Sequence, residues 1–181
     1  MITKQKSFTY EEYYLIEDGN RYEVINGELI MVPAPDLWHQ KYSRKLEVKM
    51  VIHCEKLDLG EIFDAPCDVI LDKNVVVQPD ILFVKKENEN ILQKRGVFGT
   101  PNLIVEILSK SSVKIDKFEK FKLYEKYGVE EYWILDPENK SVEVFLLVDG
   151  RYELKSVSSD EGDIVKSYVI KDFEVGIKDI F

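Results

Sequence analysis

The segment "NLIVEILS", residues 102–109, constrains the fold of this chain more than any other stretch. It is almost wholly apolar, and Glu106 is its one charged residue. A short apolar run of this kind is typical of a strand at the centre of a sheet that is covered on both faces. Because such a sheet needs further elements packed on each side, the sequence predicts a layered domain of helices and strands.

The amino-terminal half alternates between helix and hairpin signals. Thr9 followed by Glu12 is typical of a capping box, which predicts a short helix over "YEEYYLIE". Asn26-Gly27 lies between two β-prone runs in "RYEVINGELIMV" and predicts a type I′ hairpin. Asp36 can then cap a helix that runs to about Leu57.

The second half adds strands and one more helix. We expect "VVVQPDILFV", residues 75–84, to form one long apolar strand that Gln78, Pro79 and Asp80 interrupt. A helix is predicted from about Asp116 to Tyr127, followed by a strand in "EEYWILDP" and a hairpin that turns at 149–150. The predicted fold is α/β (α+β), with a mixed central sheet flanked by helices and with a β-hairpin towards each terminus.

Length and composition limit the classes of protein that the chain can belong to. Its 181 residues, 45% of them hydrophobic, suffice for one well-packed core, so we expect a single domain over 1–181. No segment approaches a membrane span or a signal peptide, which predicts a cytoplasmic protein. The net charge of −9 argues against a polyanionic ligand, although basic residues gather at 40–49 and 110–126. The plain interpretation of those two runs is solvated helix faces.

Two acidic residues stand out because each interrupts an apolar strand. If the strands of Asp80 and Glu106 are neighbours, both carboxylates can point into one cavity, where they repel each other unless a cation joins them. Hard oxygen ligands of this kind suit Mg²⁺ or Mn²⁺. The structural alternatives are a local turn capped by Asp80 and a buried ion pair between Glu106 and a lysine.

Helical geometry selects the lysine that would complete such a site. At 100° per residue, Lys120 falls on the same arc as Leu123 and Tyr124, which is the side that faces the sheet. Asp116 lies four residues earlier and can hold the ammonium. Lys120 could therefore orient a water and stabilise charge on a phosphate, or it could be only the ion-pair partner of Glu106.

Several motifs in this order resemble a known family. "YEVINGELIMVPAPDLWHQ", then "QPD", then "LIVEILSKSS" and "DKFEKFKLYEKYGVEEYWILDP" are similar to the Uma-type restriction endonucleases of the PD-(D/E)XK nuclease superfamily. The resemblance covers roughly residues 10–140, and its strength lies in the order of the motifs, since Pro-Asp alone would be weak.

The resemblance implies a restriction-endonuclease-like fold, and it also implies roles for individual residues. Asp80 corresponds to the metal-binding aspartate of the superfamily and Glu106 to the acid on the next strand, and the carbonyl of Ile107 is implied to face the metal as well. The superfamily usually carries its lysine two residues after that acid, where this chain has Leu108. In this family the lysine looks to have moved to the following helix, which agrees with Lys120.

Other residues are weaker candidates. Lys110, near the end of the Glu106 strand, is the alternative to Lys120, although a lysine at a strand end is usually solvated. Glu23 and Glu28 share one face of the first hairpin, and one of them could supply a further ligand; exposed hairpin acids are at least as common. His39 matches a histidine of the family signature, but a capping or core histidine is the commoner outcome.

The predicted function is therefore a metal-dependent endonuclease, with Mg²⁺ or Mn²⁺ as cofactor and DNA as partner. A homodimer is expected, because enzymes that cut both strands often pair their active sites. The alternative is a non-catalytic nucleic-acid-binding or interaction module that keeps the nuclease fold, and a weaker one is a hydrolase of another phosphate ester. The displaced lysine and acidic surface favour the binding module, whereas the acid pair favours the nuclease.

Overall fold

The structure, a computed structural model, describes residues 7–109 and 115–181. Within these ranges the chain forms fourteen strands and four α-helices. In chain order the strands are β1 (Arg21–Ile25), β2 (Glu28–Val32), β3 (Gly60–Asp64), β4 (Val69–Asp72), β5 (Val75–Val77), β6 (Ile81–Lys85), β7 (Leu92–Gln93), β8 (Gly96–Phe98), β9 (Leu103–Ile107), β10 (Glu131–Asp136), β11 (Ser141–Val148), β12 (Arg151–Ser158), β13 (Ile164–Lys166) and β14 (Glu174–Gly176). The helices are α1 (Tyr10–Tyr14), α2 (Leu37–Leu57), α3 (Phe121–Tyr127) and α4 (Ile177–Ile180), with a 3₁₀ segment at Lys86–Ile91 and a π-helical turn at Ile115–Lys120.

Two mixed six-stranded sheets carry the fold. The first has the order β2-β1-β5-β4-β8-β7, and the second has the order β12-β11-β10-β9-β6-β3. Each contains one parallel pair, β4 with β8 in the first sheet and β9 with β10 in the second. A two-stranded ribbon, β13 with β14, follows them. The predicted class, a mixed α/β fold with helices against the sheet, is confirmed, but the strands divide between two sheets instead of forming one.

The strand "NLIVEILS" lies near the middle of the second sheet, as predicted. All five residues of β9 are buried, between β10 on one side and β6 on the other. One face of this sheet packs on α2 and the carboxyl-terminal elements through a cluster that includes Met50, Phe83 and Trp133. The other face packs on α3 and the first sheet through a cluster that includes Val77, Leu82 and Tyr124.

The stretch 75–84 is not one strand, which corrects the prediction. It divides into β5 in the first sheet and β6 in the second, and Gln78, Pro79 and Asp80 form the connection between them. The physical reason lies in the backbone donors. Pro79 has no N–H to give to a ladder, and the N–H of Gln78 donates to the Glu23 carboxylate over 2.8 Å. Asp80 therefore lies where the chain passes from one sheet to the other.

Both predicted hairpins are present. Asn26 and Gly27 have φ values of 52° and 85°, as a type I′ turn requires, and Glu23 pairs with Ile30 in the expected register. The second hairpin, β11 with β12, turns at Asp149 and Gly150 with φ values of 50° and 77°. The first hairpin carries Glu23 to a buried position.

The helix predicted from Asp36 to about Leu57 is present, and the helix predicted over 116–127 is α-helical only in its second part. Asp36 caps α2 by accepting the N–H groups of Trp38 and His39, and the helix ends at Leu57. The segment predicted as a helix from Asp116 begins instead as the π-helical turn and continues as α3 until Gly128 caps it. No helix in the described part of the chain is both long enough and apolar enough to cross a membrane.

Candidate active site

A cleft of about 570 Å³ opens where the first hairpin, the start of α2, the end of β9 and the π-helical turn meet. It is lined by Asp80, Glu106 and Lys120, which are the three residues that the sequence predicted as the catalytic site. Glu23 and His39 also line it. The titratable residues among those lining it are Arg21, Glu23, Asp36, His39, Asp80, Glu106, Asp116, Lys120 and Glu138. The fold thus brings the predicted acids and lysine to one place.

Lys120 is the centre of a buried cluster in this cleft. Its Nζ atom lies 2.8 Å from Oε1 of Glu23, 2.9 Å from Oε1 of Glu106 and 3.8 Å from Oδ1 of Asp116. Lys120 itself is 5% exposed, and the three acids are equally buried. Tyr124 donates its hydroxyl to the same Glu106 oxygen over 2.7 Å. Lys120 therefore faces the sheet and contacts Glu106, as the helical arc predicted.

Electrostatics keeps Lys120 charged. Burial alone would lower the pKa of Lys120, but Glu106, Glu23 and Asp116 outweigh that effect and raise the pKa well above its usual value. Burial raises the pKa of Glu106 strongly; Lys120 opposes that change only in part, and the neighbouring acids add to it. One ammonium thus faces three carboxyl groups, and either a proton on Glu106 or a second cation would relieve their mutual repulsion.

Asp80 belongs to a second set of contacts in the same cleft. Its Oδ2 atom accepts the backbone N–H of Ile107 over 2.7 Å and lies 3.1 Å from Nε2 of His39. Burial alone would lower the pKa of His39, but Asp80 and the backbone of Ile107 raise it on balance. His39, in the first turn of α2, therefore contacts Asp80 in the cleft. A helix cap or a core residue would be the commoner role for such a histidine.

The donor set fits a hard divalent cation. The hydrogen bonds from the described residues fall on one oxygen of each carboxylate, Oδ2 of Asp80 and Oε1 of Glu106. Across residues 7–109 and 115–181, no three His, Cys, Asp or Glu side chains form a ready metal cage. Mg²⁺ does not require one, because it is usually held by one or two carboxylates and keeps several waters.

The remaining candidates from the sequence have different positions. Glu23 lines the cleft, whereas Glu28 is exposed near the hairpin turn and is not among the lining residues. Leu108, at the usual lysine position of the superfamily, packs in the core between the sheets. Lys110, the alternative lysine, lies outside the described residues.

Sequence reasoning did not assign a role to Gln78. Its backbone N–H fixes Glu23, its side-chain oxygen accepts Nε of Arg21 over 3.0 Å, and its amide donates to Oδ1 of Asp68 over 2.7 Å. The position directly before Pro79-Asp80 was the only sequence signal that pointed to it. Gln78 holds the Glu23 side of the cleft in place.

The fold that carries this cleft is also found in a solved structure. A crystal structure titled as a "putative nuclease belonging to DUF820", from Anabaena variabilis ATCC 29413, superimposes with a TM-score of 0.80. The two chains are 19% identical, and the match covers 96% of this chain and 97% of the other.

The family is shown by the sequence itself. The family model of Uma2, described as "Putative restriction endonuclease", matches residues 9–177, and the chain belongs to this family. It is also 24% identical over 178 residues to the uncharacterized protein sll1609 of Synechocystis sp. (strain ATCC 27184 / PCC 6803 / Kazusa), with 93% of this chain and 98% of that protein covered. The resemblance that the motifs suggested is therefore confirmed.

Proposed function

We propose that this chain is a metal-dependent endonuclease that hydrolyses phosphodiester bonds of DNA. In this proposal Asp80, Glu106 and the carbonyl of Ile107 hold Mg²⁺ or Mn²⁺, and Lys120 is the catalytic cation. Glu23 and His39 support them by contacting Lys120 and Asp80. The observation that carries the proposal is that Asp80 and Glu106, from separate segments, line one cleft with the Glu106–Lys120 pair inside it.

Each side chain has a task that its surroundings favour. The bound ion would neutralise the acids, polarise the phosphate and make a water more acidic. Lys120 remains charged, so its ammonium can offset the negative charge that develops on the phosphate oxygens. Tyr124 donates to Glu106 and Glu23 contacts Lys120, and these two contacts would keep the Glu106–Lys120 pair in one geometry before substrate arrives.

The predictions of a single domain, a cytoplasmic location and a homodimer are part of the same proposal. The family match over 9–177 includes strands of both six-stranded sheets and the ribbon, which supports treating 1–181 as one domain. A cytoplasmic location and a homodimer that places two clefts on one duplex remain predictions. Analytical ultracentrifugation of the purified chain measures the second of these directly.

A non-catalytic module is the second candidate, and one observation favours it. The three carboxylates within 4 Å of Lys120 Nζ could make the lysine a purely structural cross-link between the hairpin, β9 and the following helix. A module of this kind would keep its fold and its ligands without any divalent ion. Its distinguishing property is that neither stability nor binding changes when Mg²⁺ is added.

The experiment that tests the proposal is cleavage of supercoiled and branched DNA with Mg²⁺ or Mn²⁺, beside a reaction with a chelator. We expect nicked or linear products with metal only, and a loss of roughly 10²-fold or more in Asp80→Asn, because the neutral amide is a poorer ligand for a hard cation. Glu143→Gln is the matched control, since Glu143 pairs with Lys117 outside the cleft. Equal cleavage with and without metal, or by Asp80→Asn and wild type, contradicts the proposal.

A further inference from the structure

Two large apolar side chains stand exposed at the mouth of the cleft. Trp38, in the first turn of α2, is 62% exposed, and Met31, on β2, is 60% exposed. Both line the same cleft as Asp80 and Glu106. Exposed apolar surface next to a polar site usually marks the place where a ligand or partner is bound.

The ring of Trp38 stacks on a neighbouring aromatic ring and lies close to a lysine ammonium. The neighbouring ring is that of Tyr42, with centroids 6.3 Å apart and planes 26° from parallel, and Tyr42 in turn meets the ring of Phe181. Nζ of Lys41 lies 4.8 Å from the Trp38 centroid. A flat ligand that replaced the ammonium over this ring would leave Lys41 free to pair with an adjoining phosphate.

The charge of the chain argues against broad contact with a duplex. Binding to duplex DNA depends mainly on lysines and arginines that neutralise phosphates, and this chain carries a net charge of −9. In the described part of the basic helix, Lys120 is buried among acids and Lys117 pairs with Glu143. On α2, Lys45 donates to the carbonyl of Phe181. A single strand is a polyanion as well, but stacking of its bases on an aromatic ring adds affinity that a duplex does not gain.

We propose that the cleft takes single-stranded DNA, with one unpaired base stacked on Trp38 and the adjoining phosphodiester directed to Asp80 and Glu106. This rests on the proposed function, which it narrows to a substrate class: an unpaired end, flap or gap. Bases within a duplex are stacked on each other and cannot reach an aromatic ring at the rim. The burial of Glu106 and Lys120 also favours a flexible strand that can enter the recess.

The test is binding of a labelled single-stranded oligonucleotide, compared with a duplex of the same sequence, with Ca²⁺ in place of Mg²⁺. Ca²⁺ can still neutralise the acids, while its larger size and looser coordination geometry suppress cleavage. We expect the single strand to bind more tightly than the duplex, and Trp38→Ala to weaken it about 5- to 100-fold. Trp38→Phe keeps an aromatic ring and should retain most of the affinity. Ile52→Ala is the matched control, because Ile52 is 61% exposed on the same helix but does not line the cleft.

Tryptophan emission gives a second readout. The chain has two tryptophans, and Trp133 is fully buried, so quenching by the oligonucleotide should come from Trp38 and disappear in Trp38→Phe. The inference is overturned if the duplex binds as tightly as the single strand, if no oligonucleotide binds, or if Trp38→Ala binds like wild type. It is likewise overturned if Trp38→Ala only converts a dimer to a monomer, since the patch would then join two copies of the chain.

The two proposals fail in different ways. If single strands bind through Trp38 but no metal-dependent cleavage is seen, the proposed nuclease activity is contradicted and the proposed binding site is supported. If metal-dependent cleavage is seen and Trp38→Ala leaves it unchanged on both single-stranded and duplex substrates, the proposed nuclease activity is supported and the stacking site is contradicted.

Discussion

Glu106→Gln should reduce the rate of metal-dependent DNA cleavage by about 10²- to 10³-fold, the loss typical of removing one group that stabilises charge in a transition state. The substitution keeps the size of the side chain but removes the negative charge that would hold the cation. It also removes the charged partner of Lys120, whose Nζ lies 2.9 Å away. The measurement is the initial rate of plasmid nicking at saturating Mg²⁺ and again at saturating Mn²⁺.

The control for this variant is Glu143→Gln, which also removes the acid of a lysine–carboxylate pair, here 2.9 Å from Lys117. Because Glu143 does not line the cleft, its loss should leave the nicking rate within about twofold of wild type. A Glu106→Gln enzyme that cuts as fast as this control would show that the proposed site is wrong.

Lys120→Met should lower the free energy of unfolding by roughly 3–5 kcal/mol, the usual cost of removing one partner of a buried ion pair. Methionine fills the space of the lysine stem, so the loss comes from acids that no longer face a cation. Lys117→Met, in the same π-helical turn but partly exposed, should cost about 1 kcal/mol or less. Urea unfolding in the presence of a chelator measures both.

The decrease in the free energy of unfolding in Lys120→Met should also depend on pH. Lys120 is the influence that lowers the pKa of Glu106, so its removal leaves that pKa still further above the unfolded value. A carboxyl group with a raised folded pKa is tolerated while protonated and destabilises the fold as pH rises above the unfolded pKa. The variant should therefore lose more stability at pH 8 than at pH 5.

A double variant identifies the source of that loss. Adding Glu106→Gln to Lys120→Met removes one of the unpaired acids and should recover part of the stability. If the double variant is less stable than Lys120→Met, or if Lys120→Met unfolds at the same urea concentration as Lys117→Met, the buried cluster does not have the energetic role described here.

Local signals in the sequence were sufficient for much of the fold. The Asn26-Gly27 turn, the Asp36 cap and the apolar β9 strand each depend on a few neighbouring residues whose chemistry determines the backbone. The Glu106–Lys120 contact was also predictable, because a buried charge needs a partner and only one lysine of that helix lay on the sheet-facing arc. The position of Lys120 on that arc was calculated for an α-helix. The segment before Phe121 is a π-helical turn instead, and Lys120 is nevertheless buried on the side that faces the sheet.

The division of 75–84 between two sheets could not be predicted from periodicity. An apolar run looks the same whether its two halves share one sheet or enter different sheets, since both are buried on each face. Pro79 signalled an interruption, but the direction of the chain after it depends on long-range pairing of β5 with β1 and of β6 with β3. The contact between His39 and Asp80 follows from the same packing and had no local signal.

The proposed nuclease activity depends most directly on the binding of one divalent cation, so calorimetric titration of the chain with Mg²⁺ and Mn²⁺ in the absence of DNA is the decisive measurement. We predict a single saturable site in wild type and in Glu143→Gln, with loss of binding in Asp80→Asn and in Glu106→Gln. Binding should also raise the unfolding free energy of wild type by about 2.7 kcal/mol at a cation concentration 100 times Kd. Equal binding by Asp80→Asn and wild type, or no binding by either, would contradict the account.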